Sequence, residues 1–326
     1  MKAAWYEGFG SAGEVLTIGE MPDPEPGAGE VLVALRASAV NPSDVKLRAG
    51  ARPGAVMPFP RVVPHSDGAG VIEAVGAGVD PGRVGERVWV WNAGWQRAFG
   101  TAAEKVALPA EQAVALPEGT SFEAGACFGI PAMTAWYALA GDGADLSGRT
   151  VLVTGGAGTV GRYACQMAAL RGARVITTVS SEAKAAHATA ETWINYRTDD
   201  VAARIMEETG GAGVDRIVDV DFAANQALAL EVLKEGGTIA AYASASEMVP
   251  PLNFYGFMFR NITLRMLIAY LIPDAARRRG EAALTGWLEA GALSHAIVAG
   301  GGLDDIVAAH DRVATGDKLG SVVLTL

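Results

Sequence analysis

A glycine-rich segment, Val153–Gly161, places the strongest constraint on what this chain folds into. It reads VTGGAGTVG, and it joins the strand-like run Thr150–Thr154 to the helix-like stretch Arg162–Leu170. A second strand pattern follows at Arg174–Val179. Together these patterns predict a strand–loop–helix–strand unit that binds a dinucleotide.

The glycines of this loop have the spacing G-x-G-x-x-G. In such a loop the first glycine permits a tight turn, and the second lets the backbone approach a pyrophosphate. The third allows the helix to pack closely on the strand, and the helix N-terminus supplies N–H donors and a favourable dipole. The predicted phosphate contacts are Gly156, Gly158, Thr159, Val160 and Gly161.

The end of the second strand distinguishes between the two nicotinamide cofactors. An NAD site usually carries Asp or Glu there to hold the ribose 2′-hydroxyl, whereas this strand ends in TTVSS, with Ser180 and Ser181. Lys184 lies just beyond. Because a hydroxyl and an ammonium suit a 2′-phosphate, we expect NADP(H). Glu182 leaves an alternative open, in which a carboxylate faces the ribose.

The pattern of strands and helices changes at about residue 125. Before it, short apolar runs such as Val31–Leu35 and Arg87–Val90 alternate with Gly and Pro turn signals, which predicts a β-rich, barrel-like domain. After it, Ala124–Leu139 has helical spacing, and strands then alternate with helices as far as Ile262–Leu267. That alternation predicts a doubly wound parallel sheet. The chain ends in a further strand candidate, Ser321–Leu326.

Composition narrows the class of protein. The chain has 326 residues, of which 50% are hydrophobic, and a formal net charge of −10. Nucleic-acid binding is not expected, because phosphate contacts need clustered Lys and Arg. Two cysteines exclude a disulfide framework and fit a reducing compartment. With no apolar run near the ~18 residues of a membrane span, we expect a cytoplasmic protein that binds no membrane.

Several segments, taken in order, resemble one known family. Asn41–Gly50, with the sequence NPSDVKLRAG, is similar to the Asn, Asp, Arg-x-Gly signature of quinone oxidoreductases. Further similar segments are Ser66–Val71, Gly129–Ala135, Ile194–Arg197 and Lys318–Leu324. These segments span almost the whole chain. The chain therefore resembles the zinc-free medium-chain dehydrogenase/reductase superfamily, in its quinone oxidoreductase (zeta-crystallin-like) branch.

The resemblance implies an α/β architecture in which a GroES-like β-rich catalytic domain is joined to a Rossmann domain. The catalytic domain would comprise residues 1–122 and 268–326, and the Rossmann NADP(H)-binding domain residues 123–267. The active site would lie where the nicotinamide meets the catalytic domain. Family members are often homodimers that extend the Rossmann sheet, and Ile262–Leu267 is the candidate edge strand here.

The resemblance also assigns individual site residues. Asn41 and Asp44 would line the pocket near the nicotinamide. Asn41 can donate an amide hydrogen bond there, whereas Asp44 orients the site, contacts Arg48 or caps a loop. Lys184 and Tyr196 match positions that bind the 2′-phosphate. The other cofactor contacts that the resemblance implies are Thr134, Tyr242 and Ala243.

Zinc ligands are missing where the superfamily's alcohol dehydrogenases carry them. Asn41 and Ser66 occupy those positions, and neither is a usual zinc ligand. A four-cysteine structural site cannot form from Cys127 and Cys165. His65 lies one place from an expected ligand, and we interpret it as a hydrogen-bonded structural residue. We therefore expect no metal.

Without a metal to polarise the substrate, hydride transfer is best suited to an acceptor that is already electron-poor. We predict NADPH-dependent reduction of quinones without zinc, with NADPH as the cofactor and a small electron-poor molecule as the partner. The alternative on the same fold is an NADPH-dependent enone or 2-alkenal reductase, which acts on a C=C double bond. The sequence does not separate these two. A third interpretation is a non-catalytic nucleotide-binding or structural protein.

Overall fold

Strands dominate both ends of the chain, and helices alternate with strands in its middle. The computed structural model describes residues 1–51, 54–316 and 318–326. The strands are β1 (Lys2–Trp5), β2 (Thr17–Glu20), β3 (Glu30–Val40), β4 (Asp67–Val75), β5 (Arg87–Val90), β6 (Lys105–Pro109), β7 (Ala113–Ala115), β8 (Thr150–Val153), β9 (Arg174–Val179), β10 (Thr192–Asn195), β11 (Val214–Asp219), β12 (Leu233–Ala241), β13 (Thr263–Met266), β14 (Ile297–Ala299) and β15 (Ser321–Thr325). The α-helices are α1 (Ala12–Val15), α2 (Pro42–Arg48), α3 (Phe122–Gly125), α4 (Met133–Ala140), α5 (Thr159–Leu170), α6 (Glu182–Ala185), α7 (Val201–Glu208), α8 (Phe222–Val232), α9 (Phe254–Met258), α10 (Asp274–Glu289) and α11 (Ile306–Thr315).

The chain divides into two units. Unit 1 comprises Met1–Ile130 and Glu281–Leu326, and unit 2 comprises Pro131–Gly280. These limits differ from the boundaries at 122/123 and 267/268 that we expected from the sequence. Residues 123–130 belong to unit 1 and residues 268–280 belong to unit 2, so both limits lie further along the chain.

Unit 1 is built on a mostly antiparallel sheet. Its strand order is β14-β15-β3-β4-β5-β7, and β6 also pairs with β3. The long strand β3 contributes to two cores. Val31, Val33 and Leu35 pack into one of them, whereas Val40, at the far end of β3, packs into the other beside α11. A register irregularity between Leu35 and Ala37 separates the two halves of the strand.

Unit 2 is a doubly wound parallel sheet with the strand order β10-β9-β8-β11-β12-β13. This is the order 3-2-1-4-5-6 within the unit, which reverses between β8 and β11. Ligands of such sheets bind at the carboxyl ends of the strands, where the order reverses. One buried apolar residue from each of five strands packs in a single core with α7 and α8. These residues are Leu152, Ile176, Ile194, Ile217 and Ile239. The predicted architecture is confirmed, because the chain contains one β-rich domain and one doubly wound domain.

The segment Ala124–Leu139, whose apolar residues have helical spacing, is helical but not one continuous α-helix. The segment forms α3, then a π-helical turn over Phe128–Ala132, and then α4. Pro131 lies inside the π-helical turn. Because proline has no N–H and its ring collides with the preceding turn, the α-helical ladder cannot run through it. Across the described part of the chain, no helix combines the length and apolar character needed to cross a membrane.

Candidate functional site

The loop after β8 owes its shape to glycines that have no room for a side chain. The left-handed backbone lies at Gly155, with φ of +69°, and not at Gly156, to which we assigned the tight turn. A Cβ on Gly156 would lie 2.0 Å from Thr177 Oγ1, and one on Gly161 would lie 2.3 Å from Gly155 O. Gly156 is therefore required by close approach to the neighbouring strand, and the turn depends on Gly155.

Threonines of β9 hold this loop in place, and no sequence pattern predicted this role. Gly155 N donates to Thr178 Oγ1 at 3.1 Å, and Gly156 N donates to Thr178 O at 3.1 Å. Thr177 Oγ1 donates to Val153 O at 2.7 Å. The only signal in the sequence was a pair of threonines between the apolar residues Ile176 and Val179 of this strand.

The loop leads into the N-terminus of α5. Gly158 is the exposed N-cap residue with φ of −74° and ψ of 165°, and Arg162 N donates to Gly158 O at 2.8 Å. Thr159, Val160 and Gly161 form the first turn, whose N–H groups have no acceptor within the helix. Such a helix end attracts anions. These features fit a dinucleotide pyrophosphate.

The predicted 2′-phosphate residues lie at the carboxyl ends of β9 and β10. Ser180 is buried and Ser181 is the N-cap of α6, with its hydroxyl 3.4 Å from Lys184 N. Tyr196 follows β10, its N donates to Val179 O at 3.0 Å, and its side chain is 51% exposed. Lys184 and Glu182 are both exposed on α6. The structure thus brings these residues to one edge of the sheet.

A buried carboxylate, Asp219, lies where the strand order reverses. Its Oδ1 accepts hydrogen bonds from Thr154 Oγ1 at 2.8 Å and from Asn225 Nδ2 at 2.7 Å. Burial raises the pKa of Asp219. Tyr242 N donates to Asp219 O at 3.1 Å, which holds the segment after β12 next to β11. Asp219 was not predicted from the sequence.

The remaining predicted cofactor residues also lie in unit 2. Tyr242 and Ala243 follow β12, and Ala243 O accepts from Phe222 N at 3.0 Å. Withdrawal from water and then the Asp219 carboxylate raise the pKa of the Tyr242 phenol above its usual range. Thr134 is buried in the first turn of α4.

In unit 1, Asn41 is held by a carboxylate that the sequence did not reveal. Asn41 Nδ2 donates to Asp67 Oδ2 at 2.9 Å, and Ile130 N donates to the same oxygen at 2.9 Å. Asp67 pairs with Ala39 across β3 and β4, which brings the residue after β3 close to it. The carboxylate also needs Gly129, because a Cβ there would lie 2.1 Å from Asp67 Oδ1.

Asp44, the second predicted catalytic residue, is buried in the first turn of α2. Its Oδ2 accepts from Asn41 N at 2.8 Å, so the two residues are directly joined. Burial raises the pKa of Asp44 to about 7. Arg48 donates instead to Gly10 O at 2.5 Å and to His310 Nδ1 at 3.3 Å. The hydrogen bonding of Asp44 is thus that of a helix cap.

His65 is fully inside unit 1 and is surrounded by hydrogen-bonding groups. Its ring nitrogens lie 2.8 Å from Ser38 Oγ and 2.9 Å from His310 Nε2. Cys127 and Cys165 are free and buried. Among residues 1–51, 54–316 and 318–326, no group of three or more His, Cys, Asp and Glu is arranged to hold a metal ion.

Comparison with known proteins identifies the family of the chain. Residues 27–118 match the family model described as alcohol dehydrogenase GroES-like domain, and residues 159–285 match the model described as zinc-binding dehydrogenase. A quinone oxidoreductase of Pseudomonas aeruginosa is 31% identical over 95% of both chains. A 2-haloacrylate reductase of a Burkholderia species is 32% identical over 92% of this chain and 91% of its own.

A solved structure gives the same result. The quinone oxidoreductase of Escherichia coli, complexed with NADPH, aligns over 100% of both chains with a TM-score of 0.87 at 25% identity. Asn41 and Ser66, the residues that we expect at the zinc-ligand positions, are not usual zinc ligands. The chain belongs to the zinc-independent quinone oxidoreductase family of the medium-chain dehydrogenases and reductases.

Proposed function

We propose that this protein reduces quinones with NADPH, by hydride transfer and without a metal. The observation that carries the proposal is the loop after β8, where Gly156 and Gly161 stand in places that no side chain fits. The loop leads to Gly158, the exposed N-cap of α5, and the positive end of the helix dipole there suits a pyrophosphate. The quinone as acceptor is supported by the names of the Pseudomonas and Escherichia relatives. NADPH as cofactor is supported by the Escherichia complex.

Asn41 is the residue we assign to the acceptor. NADPH, when bound, supplies the hydride. One N–H of the Asn41 amide is committed to Asp67, which fixes the plane of the amide. The second N–H remains for an acceptor oxygen that gains negative charge, which is the type of contact that stabilises a transition state. Asp44 fixes the backbone of Asn41 from the other side.

NADPH is favoured over NADH by the residues after β9 and β10. Ser180 and Ser181 follow β9 directly, and Lys184 and Tyr196 are exposed. An ammonium and a phenolic hydroxyl can both bind a 2′-phosphate. Their position at the strand ends is where a dinucleotide ribose lies in a doubly wound sheet.

Reduction of an activated C=C double bond is the second candidate function. It is favoured by one observation, the 32% identity to a 2-haloacrylate reductase. Both activities use the same cofactor site, and they differ in the step after hydride transfer. The quinone spreads the new charge over its oxygens, whereas the alkene requires a proton at carbon.

A panel assay distinguishes these functions. NADPH oxidation by the purified protein is measured with quinones, enones and a 2-haloacrylate, and Gly158→Ala serves as the cofactor-binding control, because a Cβ there meets no atom closer than 3.2 Å. We expect the highest kcat/KM with a quinone and lower turnover in the control at the same NADPH concentration. Higher kcat/KM with the haloacrylate would favour the second candidate. No turnover with any acceptor, despite NADPH binding, would contradict both.

We further propose that the protein is a cytoplasmic homodimer joined through β13. This strand lies at the edge of the unit 2 sheet, where its outer hydrogen-bonding groups can pair with a second copy. Exposed apolar side chains lie in β13 and at α9, the helix before it. They are Phe254, Tyr255, Met258, Phe259 and Met266, with exposures of 59%, 65%, 45%, 78% and 72%. Exposed apolar surface on this scale is typical of an interface.

Light scattering during gel filtration tests the dimer. Met266→Asp and Phe259→Asp place charges on the proposed interface and should yield monomer. Val84→Asp is the matched control, because Val84 is 51% exposed but lies in unit 1. A wild-type monomer at micromolar concentration would contradict the proposal, as would equal dissociation by the control.

A further inference from the structure

A line of buried polar groups crosses unit 1 and ends at the residue that holds Asn41. We propose that this line is a one-directional hydrogen-bond chain that positions Asp67, and through it Asn41, for acceptor reduction. Its members, here called the polar chain, are Arg48, His310, His65, Ser38, Thr101 and Asp67. The inference rests on the proposed function for its catalytic consequence, but the direction of the polar chain can be measured without substrate.

Every link of the polar chain is within hydrogen-bonding distance, and every member is buried. Their exposed fractions are between 0% and 3%. The contacts, in order, are Arg48 Nε to His310 Nδ1 at 3.3 Å, His310 Nε2 to His65 Nε2 at 2.9 Å, His65 Nδ1 to Ser38 Oγ at 2.8 Å, Ser38 Oγ to Thr101 Oγ1 at 2.8 Å, and Thr101 Oγ1 to Asp67 O at 2.7 Å. No water is needed to complete this path.

The arginine end determines the proton positions of both histidines. A guanidinium can only donate, so His310 Nδ1 must be an acceptor. The proton of His310 then lies on Nε2 and is donated to His65 Nε2. His65 must therefore carry its own proton on Nδ1, from which it is donated to Ser38 Oγ. The two imidazoles are thus fixed as opposite tautomers, and the contacts leave no other choice.

The Asp67 end of the polar chain independently determines the same proton positions. A carbonyl oxygen can only accept, so Thr101 donates its single hydroxyl proton to Asp67 O. Ser38 must then donate to Thr101, and its oxygen is left to accept from His65 Nδ1. The two derivations meet at the same His65 tautomer. A positive charge on either histidine would set two donors face to face along the polar chain.

The environment keeps both imidazoles neutral, as the polar chain requires. Burial lowers the pKa of His65 well below its usual range, and the His310 ring adds to that effect. Burial and the Arg48 charge lower the pKa of His310 to about 3. The two rings are also stacked, with centroids 5.1 Å apart. Arg48 is the permanent charge at the end of the polar chain.

The backbone at His65 is held in an unfavourable conformation. Its φ is +75°, in the left-handed region that favours glycine. Thr101 N donates to His65 O at 3.0 Å, and a Cβ on Gly100 would lie 2.0 Å from that same oxygen. Strain of this kind persists only where the surroundings hold it, and it is concentrated at functional sites. Here it places the imidazole between Ser38 and His310.

The last link explains what the polar chain does. Asp67 is anchored at its backbone carbonyl by Thr101, while its carboxylate accepts from Asn41 Nδ2 and Ile130 N. Rotation of Asp67 would turn the Asn41 amide. The members of the polar chain before Asp67 are therefore positioning residues, because they act on the acceptor through Asp67 and Asn41.

Nuclear magnetic resonance tests the direction on the wild-type protein. The protein has four histidines. Long-range ¹H–¹⁵N correlations of the ¹⁵N-labelled imidazoles can therefore be assigned with variants in which one histidine at a time is replaced. At pH 7 we expect His65 to be protonated on Nδ1 only and His310 on Nε2 only. His187 and His295 serve as references in the same spectrum. Protonation of His65 on Nε2, or an imidazolium at either residue, would overturn the directional chain.

Thr101→Val tests the positioning role, because it removes one hydroxyl at nearly constant volume. We expect kcat/KM for the acceptor to fall about tenfold, the scale of one hydrogen bond, with NADPH affinity within about twofold of wild type. The side-chain amide resonances of Asn41 should shift, and Thr101→Ser should restore both signals. Wild-type kcat/KM and unshifted Asn41 resonances in Thr101→Val would overturn the positioning role.

These two measurements can refute the polar chain without refuting the proposed function, and the proposed function can be refuted without refuting the polar chain. If wild type binds NADPH but reduces no quinone or alkene, the proposed function is wrong. The imidazole tautomers and the Asn41 resonances still decide whether the polar chain exists and reaches Asn41. If Thr101→Val does not fold, the tautomers of the wild-type protein remain the decisive reading.

Discussion

The side-chain amide of Asn41 donates to Asp67 Oδ2 across 2.9 Å, and both residues are buried. Because Asp67 accepts a second hydrogen bond from Ile130 N at the same oxygen, the pair is fixed from two sides. This arrangement leaves one amide N–H of Asn41 for a ligand. It therefore links a loop at the end of β3 to the chemistry we assign to the protein.

Asn41→Ala should lower kcat/KM for acceptor reduction about ten- to a hundredfold, because one hydrogen bond to developing charge is lost. NADPH affinity should change little, since the phosphate contacts lie in unit 2. Stopped-flow reduction and a fluorescence titration of the cofactor provide the two readings. A variant that binds NADPH normally and turns over like wild type would exclude Asn41 from the site.

Lys184→Ala should weaken NADPH binding about ten- to a hundredfold and leave NADH binding nearly unchanged, because a hydrogen bond to a charged group contributes about 1.5–3 kcal/mol. The effect should diminish at high salt, since Lys184 is exposed. Titration of both cofactors against both proteins measures it. Glu182→Gln is the matched comparison on α6. If it weakens NADH more than Lys184→Ala weakens NADPH, the carboxylate holds the ribose and the NADPH assignment is wrong.

We expect Gly156→Ala to affect mainly the stability of the protein and Gly158→Ala to affect mainly its binding of NADPH. A Cβ on Gly156 would lie 2.0 Å from Thr177 Oγ1, whereas one on Gly158 meets its nearest atom, Gly155 O, at 3.2 Å. We expect Gly156→Ala to lower the free energy of unfolding by about 1–3 kcal/mol. Gly158→Ala should unfold more like wild type yet bind NADPH more weakly, because its Cβ enters the space of the pyrophosphate. Equal stability losses, measured by urea unfolding, would contradict this account of the loop.

Asp44→Asn should change how stability depends on pH. The pKa of Asp44 is about 7 in the folded protein, above the value of about 3.9 expected for the unfolded chain. Its contribution to stability is thus full below about pH 4 and is lost as the pH rises toward and through 7, by up to about 1.4 kcal/mol per unit. Asn keeps an acceptor oxygen but cannot ionise. The free energy of unfolding of the variant minus that of wild type should therefore increase between about pH 5 and pH 8. Urea midpoints of the two proteins that stay parallel over that range would contradict the raised pKa of Asp44.

His65→Gly should be more stable than His65→Ala by about 1 kcal/mol. Both variants remove the imidazole, but only glycine adopts a φ of +75° without strain. His310 provides the matched control, because it lies within α11. There His310→Gly should be less stable than His310→Ala by a similar amount, since glycine disfavours a helix interior. The same order at both positions would show that His65 is not strained.

Much of the fold could be predicted because its signals are local. Strands β5 and β9 begin and end where their apolar patterns do, and glycine spacing identified the phosphate loop. The predicted family is confirmed, because short motifs in a fixed order survive where overall identity is about 31%. Helical spacing over Ala124–Leu139 did not reveal the π-helical turn around Pro131, because the spacing of apolar residues does not register the missing N–H of proline.

Tertiary structure alone decided which groups meet. Asp67 lies 26 residues from Asn41, and His310 lies 245 residues from His65, so no spacing rule connects them. They come together because antiparallel pairing of β3 with β4 brings Asp67 to the end of β3, and because α11 packs beside β15 within unit 1. The role of Thr177 could not be predicted from the sequence either, because it depends on β9 lying beside β8 in the sheet. Sequence periodicity reports which residues are buried, but burial does not say which polar partner each one finds.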